Sequence, residues 1–374
     1  MEETKKYDWL VVGAGLSGAV FAREMANAGK RVLVIDSRPQ VGGNCYCEYL
    51  NGVFVHKYGA HIFHTDSEVA WNYFKKYHPT ARRWGIYTVQ ALSDGVICPL
   101  PFNMNTFAKL WPSVRTPKEA EEKIKSQIPK KVNTDTLEGR AISQVGTEIF
   151  EKLIKGYTEK QWGKPCNQLP PEIVNRIPVR FTYDNNYYFC DKIAVPERGY
   201  NALFDNLLDG IEVRLQCDYL THQELAEISE RVFYTGPIDK LFGERFGKLD
   251  YRSLRFEYEV LPAEETQGSP VVNYCDHSQP YTRRIEHNLF SPSIKKDNLI
   301  VTYEYSCPYE GNAEPYYPIN SIDNQRKYDR YMEEAHRQWG DKFVFGGRLG
   351  KYKYYAMDDT ILDTLEIVKS IIGE

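Results

Sequence analysis

The chain has 374 residues and a formal net charge of −4, which leaves room for two or three domains and is the wrong sign for a protein that grips nucleic-acid phosphates. No apolar run is long enough to span a bilayer, and the charged stretch Met1 to Lys6 does not read as a signal peptide, so a soluble cytoplasmic protein with no nucleic-acid partner and no membrane insertion is expected. Eight cysteines without CxxC or zinc-ligand spacing read as reduced, buried thiols, and no metal is expected.

The first element is the apolar run Trp9 to Val12, which feeds directly into Gly13, Gly15 and Gly18 at the GxGxxG spacing. An alanine-rich helix follows (Ala19, Ala22, Ala26, Ala28), then a second apolar run, Val32 to Ile35, ending on Asp36. That order of strand, glycine turn, helix, strand and acid predicts a βαβ unit holding a dinucleotide. Gly13 permits the tight turn, Gly15 lets the backbone approach a pyrophosphate, and Gly18 lets the helix pack close on the sheet. The N–H groups at the helix start face the phosphates with the helix dipole behind them, and Asp36 is placed to accept from a ribose hydroxyl. Ser37 lies beside it, and Gly43 and Asn44 in the sequel Gly42-Gly43-Asn44 lean the cofactor from NAD toward FAD.

Short strands are expected over Val53 to His56 and Ala60 to His64, and Pro99 and Pro101 then mark a change of texture. From Thr106 to Lys160 the pattern is helical, with Ile142, Val145, Ile149 and Ile154 at helical spacing, and predicts a small inserted bundle. Alternating apolar and aromatic residues over 177–193, and β-rich runs within 250–307, predict strands of an antiparallel sheet. A helix opening at Gly199 and a strand from Arg231 to Gly236 return the chain to the nucleotide-binding sheet. The stretch Phe343 to Ile372 again reads strand, turn, helix, with Ile361, Leu365 and Val368 on one face. The fold expected is α/β: a discontinuous Rossmann-like FAD-binding domain (1–85, 194–246, 325–374), a helical domain (102–165) and an antiparallel β-sheet substrate domain (86–101, 166–193, 247–324).

Segments outside the glycine fingerprint carry a more specific likeness. Lys57 to Thr65, Leu100 to Phe107, Lys155 to Gly163, Asn175 to Phe181, Tyr234 to Asp239, Tyr281 to Arg283, Glu314 to Pro318 and Gly347 to Leu349 resemble the bacterial UDP-galactopyranose mutases over nearly the whole chain. The resemblance implies an isomerase interconverting UDP-galactopyranose and UDP-galactofuranose for surface polysaccharide. It implies non-covalent FAD, reduced for activity, and a flavin N5–sugar adduct with no net redox change. It further implies UDP as the group that leaves and returns, and a homodimer is expected.

By the same resemblance, Arg176 and Arg283 clamp the diphosphate, where guanidinium bonds strengthen as charge develops. Tyr317 and Tyr354 contact it by hydroxyl, with the adjacent Tyr316 a one-residue alternative to Tyr317. Tyr187 lies beside the nucleotide, Tyr157 and Trp162 wall in uracil and sugar, and Asn273 adds a polar contact. His61 and Ile62 fall next to the isoalloxazine, His61 in a catalytic role, while His64 is open between a structural role and the site. Arg348 holds the electron-rich reduced ring, and Met357 and Asp358 open a helix whose N–H groups face the cofactor. Many relatives carry Asp or Asn where this chain has Ala356, which opens a UDP-GalNAc-preferring mutase as an alternative. An amine-oxidase-like flavin oxidoreductase and a nucleotide-sugar binder without catalysis are the others. The oxidase has no use for paired diphosphate arginines, and the binder would lack the flavin.

Overall fold

Tyr7–Val12 is buried at five of six positions and packs on both faces, as a central parallel strand must. Trp9 and Val11 point into one core cluster, with Phe21, Phe204 and Ile361, whereas Tyr7, Leu10 and Val12 point into another, with Tyr331 and Phe343. The strand pairs in parallel with Val32–Ile35 on one side and Ser229–Tyr234 on the other. Glu212–Arg214 and Phe343–Phe345 complete a five-stranded parallel sheet at its two edges. The helices Leu16–Asn27, Asn201–Leu208 and Met357–Ile372 cover one face. The computed structural model describes residues 6–81, 83–84, 87–176, 179–291, 297–310 and 313–373, with the side chains of Arg83, Trp84, Asn175 and Arg176 outside that description.

A second sheet has seven strands, in the order Tyr317–Pro318, Tyr251–Pro262, Asn298–Pro308, Arg283–Glu286, Val271–Tyr274, Val89–Ser93, Val96–Leu100. The expected antiparallel pairing holds except where Val271–Tyr274 meets Val89–Ser93, which is parallel. Val89–Ser93 belongs to a hairpin closed by Asp94 and Gly95, both at positive φ, as a two-residue turn requires. That hairpin joins the sheet across a long connection, so no tight turn dictates its direction there. The helical bundle (Met104–Leu110, Pro117–Ser126, Leu137–Ile149, a π-helical turn Phe150–Lys155, then Gly156–Trp162) packs Phe107, Trp111, Ile124, Val145 and Phe150 into one core.

Residues 177–193 correct an expectation. Their described part is irregular until Lys192–Ala194, apart from a single bridge between Phe102 and Val179. Side-chain polar bonds outcompete the alternating pattern: Asp184 Oδ1 accepts locally from the Asn186 N–H, and Asn185 Oδ1 accepts from the distant Asn103 and Asn105 side chains. The short strand expected over Ala60 to His64 starts later, at Phe63–Thr65. Six of the eight cysteines are buried and all are free. Among the described residues no helix is long and apolar enough to cross a membrane, and no acidic, histidine or cysteine cluster could hold a metal.

Candidate active site

The carboxyl ends of the parallel strands open onto a crevice of about 460 Å³. Gly13 sits at φ +104°, and a Cβ there would meet Thr235 Oγ1 at 2.1 Å. A Cβ on Gly18 would lie 1.8 Å from the Gly13 carbonyl oxygen, and one on Gly43 would lie 2.9 Å from Gly15 Cα. Backbone at Gly18 and Gly43, and the Thr235 hydroxyl at Gly13, therefore lie where side chains would otherwise fill the space, which leaves the bare-backbone cradle a pyrophosphate needs. Asp36 Oδ2 accepts from the Ala14 N–H at 2.7 Å and Oδ1 from the Arg38 N–H at 2.8 Å, which aims the carboxylate along the rim. Burial raises its pKa, against the two backbone N–H groups. Arg38 binds Glu314 (3.0 Å) and Asn44 (3.1 Å) through one terminal nitrogen, and its other, Nη1, is buried without a partner among the described residues.

Of the cofactor residues named from sequence, Gly13, Gly15, Gly18, Asp36, Ser37, Gly43, Asn44, His61, Arg348 and Met357 line this crevice. Ile62 and Asp358 do not. Ile62 packs against the bundle core, and Asp358 stands in the first helical turn, where its charge acts on His64. His64 stacks on Tyr188 at 3.8 Å, outside the crevice wall, which favours its structural role. Ala356, on the wall, offers no side-chain cap to the helix behind it; Asp359 instead accepts from the Ala356 N–H at 3.0 Å. The crevice also uses residues that sequence reasoning missed, among them Thr235, Lys240, Tyr309 and Thr360. Thr235 had a signal: it follows the strand Ser229–Tyr234 as Gly13 follows Tyr7–Val12.

His61 joins the crevice to the second sheet. Its Nδ1 lies 2.8 Å from the Gly59 carbonyl, an acceptor only, so Nδ1 carries the proton and Nε2 keeps its lone pair. Burial, and then the Arg348 charge, push its pKa down to about 4. Arg348 donates from Nε to the Tyr355 carbonyl at 2.7 Å and lies 4.8 Å over the Tyr354 ring.

Arg283 opens the strand Arg283–Glu286, and its Nε contacts both Tyr157 Oη (2.9 Å) and Glu304 Oε1 (3.2 Å). Both contacts use Nε, so among the described residues the two Nη groups remain for a ligand. Burial alone would lower the Arg283 pKa, but the Glu304 carboxylate beside it holds the pKa well above the usual arginine value. Glu304 is only 3% exposed, an acid on the inward face of a strand, and that placement was the missed signal. Tyr317 and Tyr354 pair at 5.7 Å, and the Tyr317 phenol feels both Glu304 and Arg283. Tyr316 is buried instead toward Phe256 and Arg38, so of the two adjacent tyrosines it is Tyr317 that stands near Arg283. Tyr187 is half-buried, stands edge-on to Tyr188 at 5.2 Å and feels the Arg283 charge. Trp162 Nε1 and Asn273 Oδ1 are buried with no partner among the described residues, one donor and one acceptor left for something else to satisfy. The Arg176 side chain lies outside the described residues.

Residues 152–354 match the sequence pattern of the UDP-galactopyranose mutase family, and residues 11–77 match an NAD(P)-binding Rossmann-like domain. A protein of Klebsiella pneumoniae named as a probable UDP-galactopyranose mutase is 37% identical, over 97% of this chain and 94% of its own. A dTDP-fucopyranose mutase of Escherichia coli is 35% identical, over 97% of this chain and 98% of its own. The crystal structure of a reduced UDP-galactopyranose mutase superposes with a TM-score of 0.75 over 98% of this chain and 96% of its own, at 12% identity, which speaks for the fold alone.

Proposed function

This chain belongs to the UDP-galactopyranose mutase family, and from that premise we propose that it interconverts UDP-galactopyranose and UDP-galactofuranose with reduced FAD in the crevice behind the first glycine turn. The observation that carries the reading is Arg283, fixed through Nε by a buried carboxylate and a tyrosine while among the described residues its Nη groups stay available. A clamp of that kind strengthens as charge develops on a departing diphosphate, because its donors are already in place. An oxidase of small amines has no use for it.

The crevice residues fit the cofactor: three glycine close approaches for the pyrophosphate, Asp36 for a ribose, and an unpartnered Arg38 Nη1. Reduced flavin would supply the nucleophile for the sugar's anomeric carbon. The protein's own share is positional and electrostatic. Arg176 and Arg283 hold the two phosphates, Tyr317 and Tyr354 donate hydroxyls to them, and Tyr157, Trp162, Tyr187 and Asn273 wall in the nucleoside and sugar. His61, neutral and with Nε2 unprotonated, accepts a hydrogen bond at the cofactor side. Arg348 places positive charge there, which favours an electron-rich ring.

A second reading concerns the substrate rather than the reaction. The dTDP-fucopyranose mutase is almost as similar as the galactose relative, at 35% against 37%, so a thymidine-linked 6-deoxyhexose is the competing substrate. Both are tested together. The protein is reduced anaerobically with dithionite and given UDP-galactofuranose or dTDP-fucofuranose, and the ring forms are separated by chromatography. Ring interconversion of the UDP sugar in the reduced state alone supports the first reading, and preference for the dTDP sugar replaces it with the second. No conversion of either at full flavin occupancy overturns both.

A further inference from the structure

Lys160 lies one turn from Tyr157 on the helix Gly156–Trp162. Its ammonium is part-buried and bonds to backbone rather than to a carboxylate. Its three N–H groups are shared among four main-chain carbonyls of one turn: Tyr274 (2.8 Å), Asp276 (2.7 Å), Gln279 (3.1 Å) and Tyr281 (3.0 Å). That turn links Val271–Tyr274 to Arg283–Glu286, so it ends two residues before Arg283. The same helix meets the same turn a second time at Gly156, where a Cβ would stand 2.4 Å from the Cys275 carbonyl oxygen. At the helix end, Arg252 donates from Nε to the Gln161 carbonyl at 3.0 Å and fixes the helix to the sheet.

We propose that Lys160 is a positioning residue for the phosphate clamp: its ammonium gathers the carbonyls of the 274–281 turn and so sets Arg283 against Tyr157. Four converging carbonyls repel one another unless a cation stands among them, and a compact ammonium with rotatable donors fills that place where a planar guanidinium does not. Without it the turn spreads, and the 2.9 Å contact between Arg283 and Tyr157 loses its support. Arg283 then reaches the diphosphate only part of the time. The inference rests on the reading of Arg283 as a ligand for UDP.

The test uses the full-length flavoprotein with UDP as ligand. Lys160→Ala is expected to weaken UDP binding by calorimetry about tenfold to a hundredfold, the scale set by a misplaced positioning contact. Flavin absorbance stays at the wild-type level, and amide exchange rises across residues 275–282 in the absence of nucleotide. Ethylammonium, which can occupy the vacated end of the side chain, restores both affinity and exchange protection; tetramethylammonium at equal ionic strength, having no N–H, restores neither. Lys160→Met keeps the stem packing and removes only the donors, and it carries the affinity and exchange measurements if the alanine variant does not fold. Wild-type affinity and protection in either variant overturn the proposal, as does a loss in Lys160→Ala that ethylammonium leaves unchanged. If the wild-type protein itself does not bind UDP, the reading of Arg283 fails instead, and the exchange arm still decides whether Lys160 orders the turn.

Discussion

Arg283 is an expensive residue to keep, because a partly buried guanidinium gives up hydration unless something replaces it. Glu304 and Tyr157 replace it at Nε and leave the charge available at Nη. Arg283→Ala should therefore cost kcat about a hundredfold to a thousandfold, the loss typical of removing one preorganised donor to a developing anion. Arg176→Ala should behave alike, and in both variants the visible absorbance of the purified protein should be unchanged. Near-normal turnover would remove either residue from the clamp. Glu304→Gln separates geometry from charge at the same place: the amide can still contact Thr282 and Arg283 but no longer offsets the guanidinium. A rise in the UDP dissociation constant without loss of the cofactor is the expected outcome, read by titration calorimetry.

At the scale of one element, the helix Gly156–Trp162 makes a prediction whose sign is informative. Glycine to alanine inside a helix ordinarily stabilises by up to about 1 kcal/mol. Here the new Cβ would fall 2.4 Å from the Cys275 oxygen, on backbone that cannot rotate away. Gly156→Ala should then lower the thermal midpoint and weaken UDP binding, and a raised midpoint with unaltered binding would refute close docking of helix and turn. The contrast between this helix and the first βαβ unit shows what a sequence can carry. Gly13, Gly15, Gly18 and Asp36 are legible because the whole unit closes on itself within a short stretch. Tyr157 and Arg283 meet across 126 residues, and Lys160 meets its turn across 114 to 121. No local pattern reports such contacts; only the resemblance named Tyr157 and Arg283, and nothing named Lys160. The described part of residues 177–191 failed for another reason: its alternation was real, but Asp184 took the Asn186 N–H locally and Asn185 was held by the distant Asn103 side chain.

Across the whole molecule, a chain of histidines, His61 on the crevice wall and His56 and His287 buried behind it, connects the crevice to the second sheet, and its hydrogen bonds fix its charge. His61 donates its backbone N–H to His56 Nδ1 (3.1 Å), and His56 donates its own N–H to His287 Nδ1 (3.3 Å). The His287 Nε2 then meets the Thr302 hydroxyl at 2.7 Å. Each Nδ1 that accepts from a backbone N–H must be unprotonated, so a proton arriving there would face a donor in a dry interior. Burial accordingly lowers the His56 pKa well below its usual value and brings His287 to about 3. The unfolded chain takes up protons near pH 6.5 while the folded one does not, so folding is favoured above that value and loses ground as pH falls toward the folded pKa. Each histidine contributes a slope of up to about 1.4 kcal/mol per pH unit over that window. Guanidinium unfolding followed by tryptophan fluorescence between pH 7.5 and 4.5 should show stability falling steeply below pH 6.5. His287→Gln, whose amide can both accept from the His56 N–H and donate to Thr302, should remove about one proton from that slope while costing little at pH 7.5. An unchanged slope in the variant would mean that His287 is already charged in the folded protein, with a proton on Nδ1 and no hydrogen bond left from the His56 N–H.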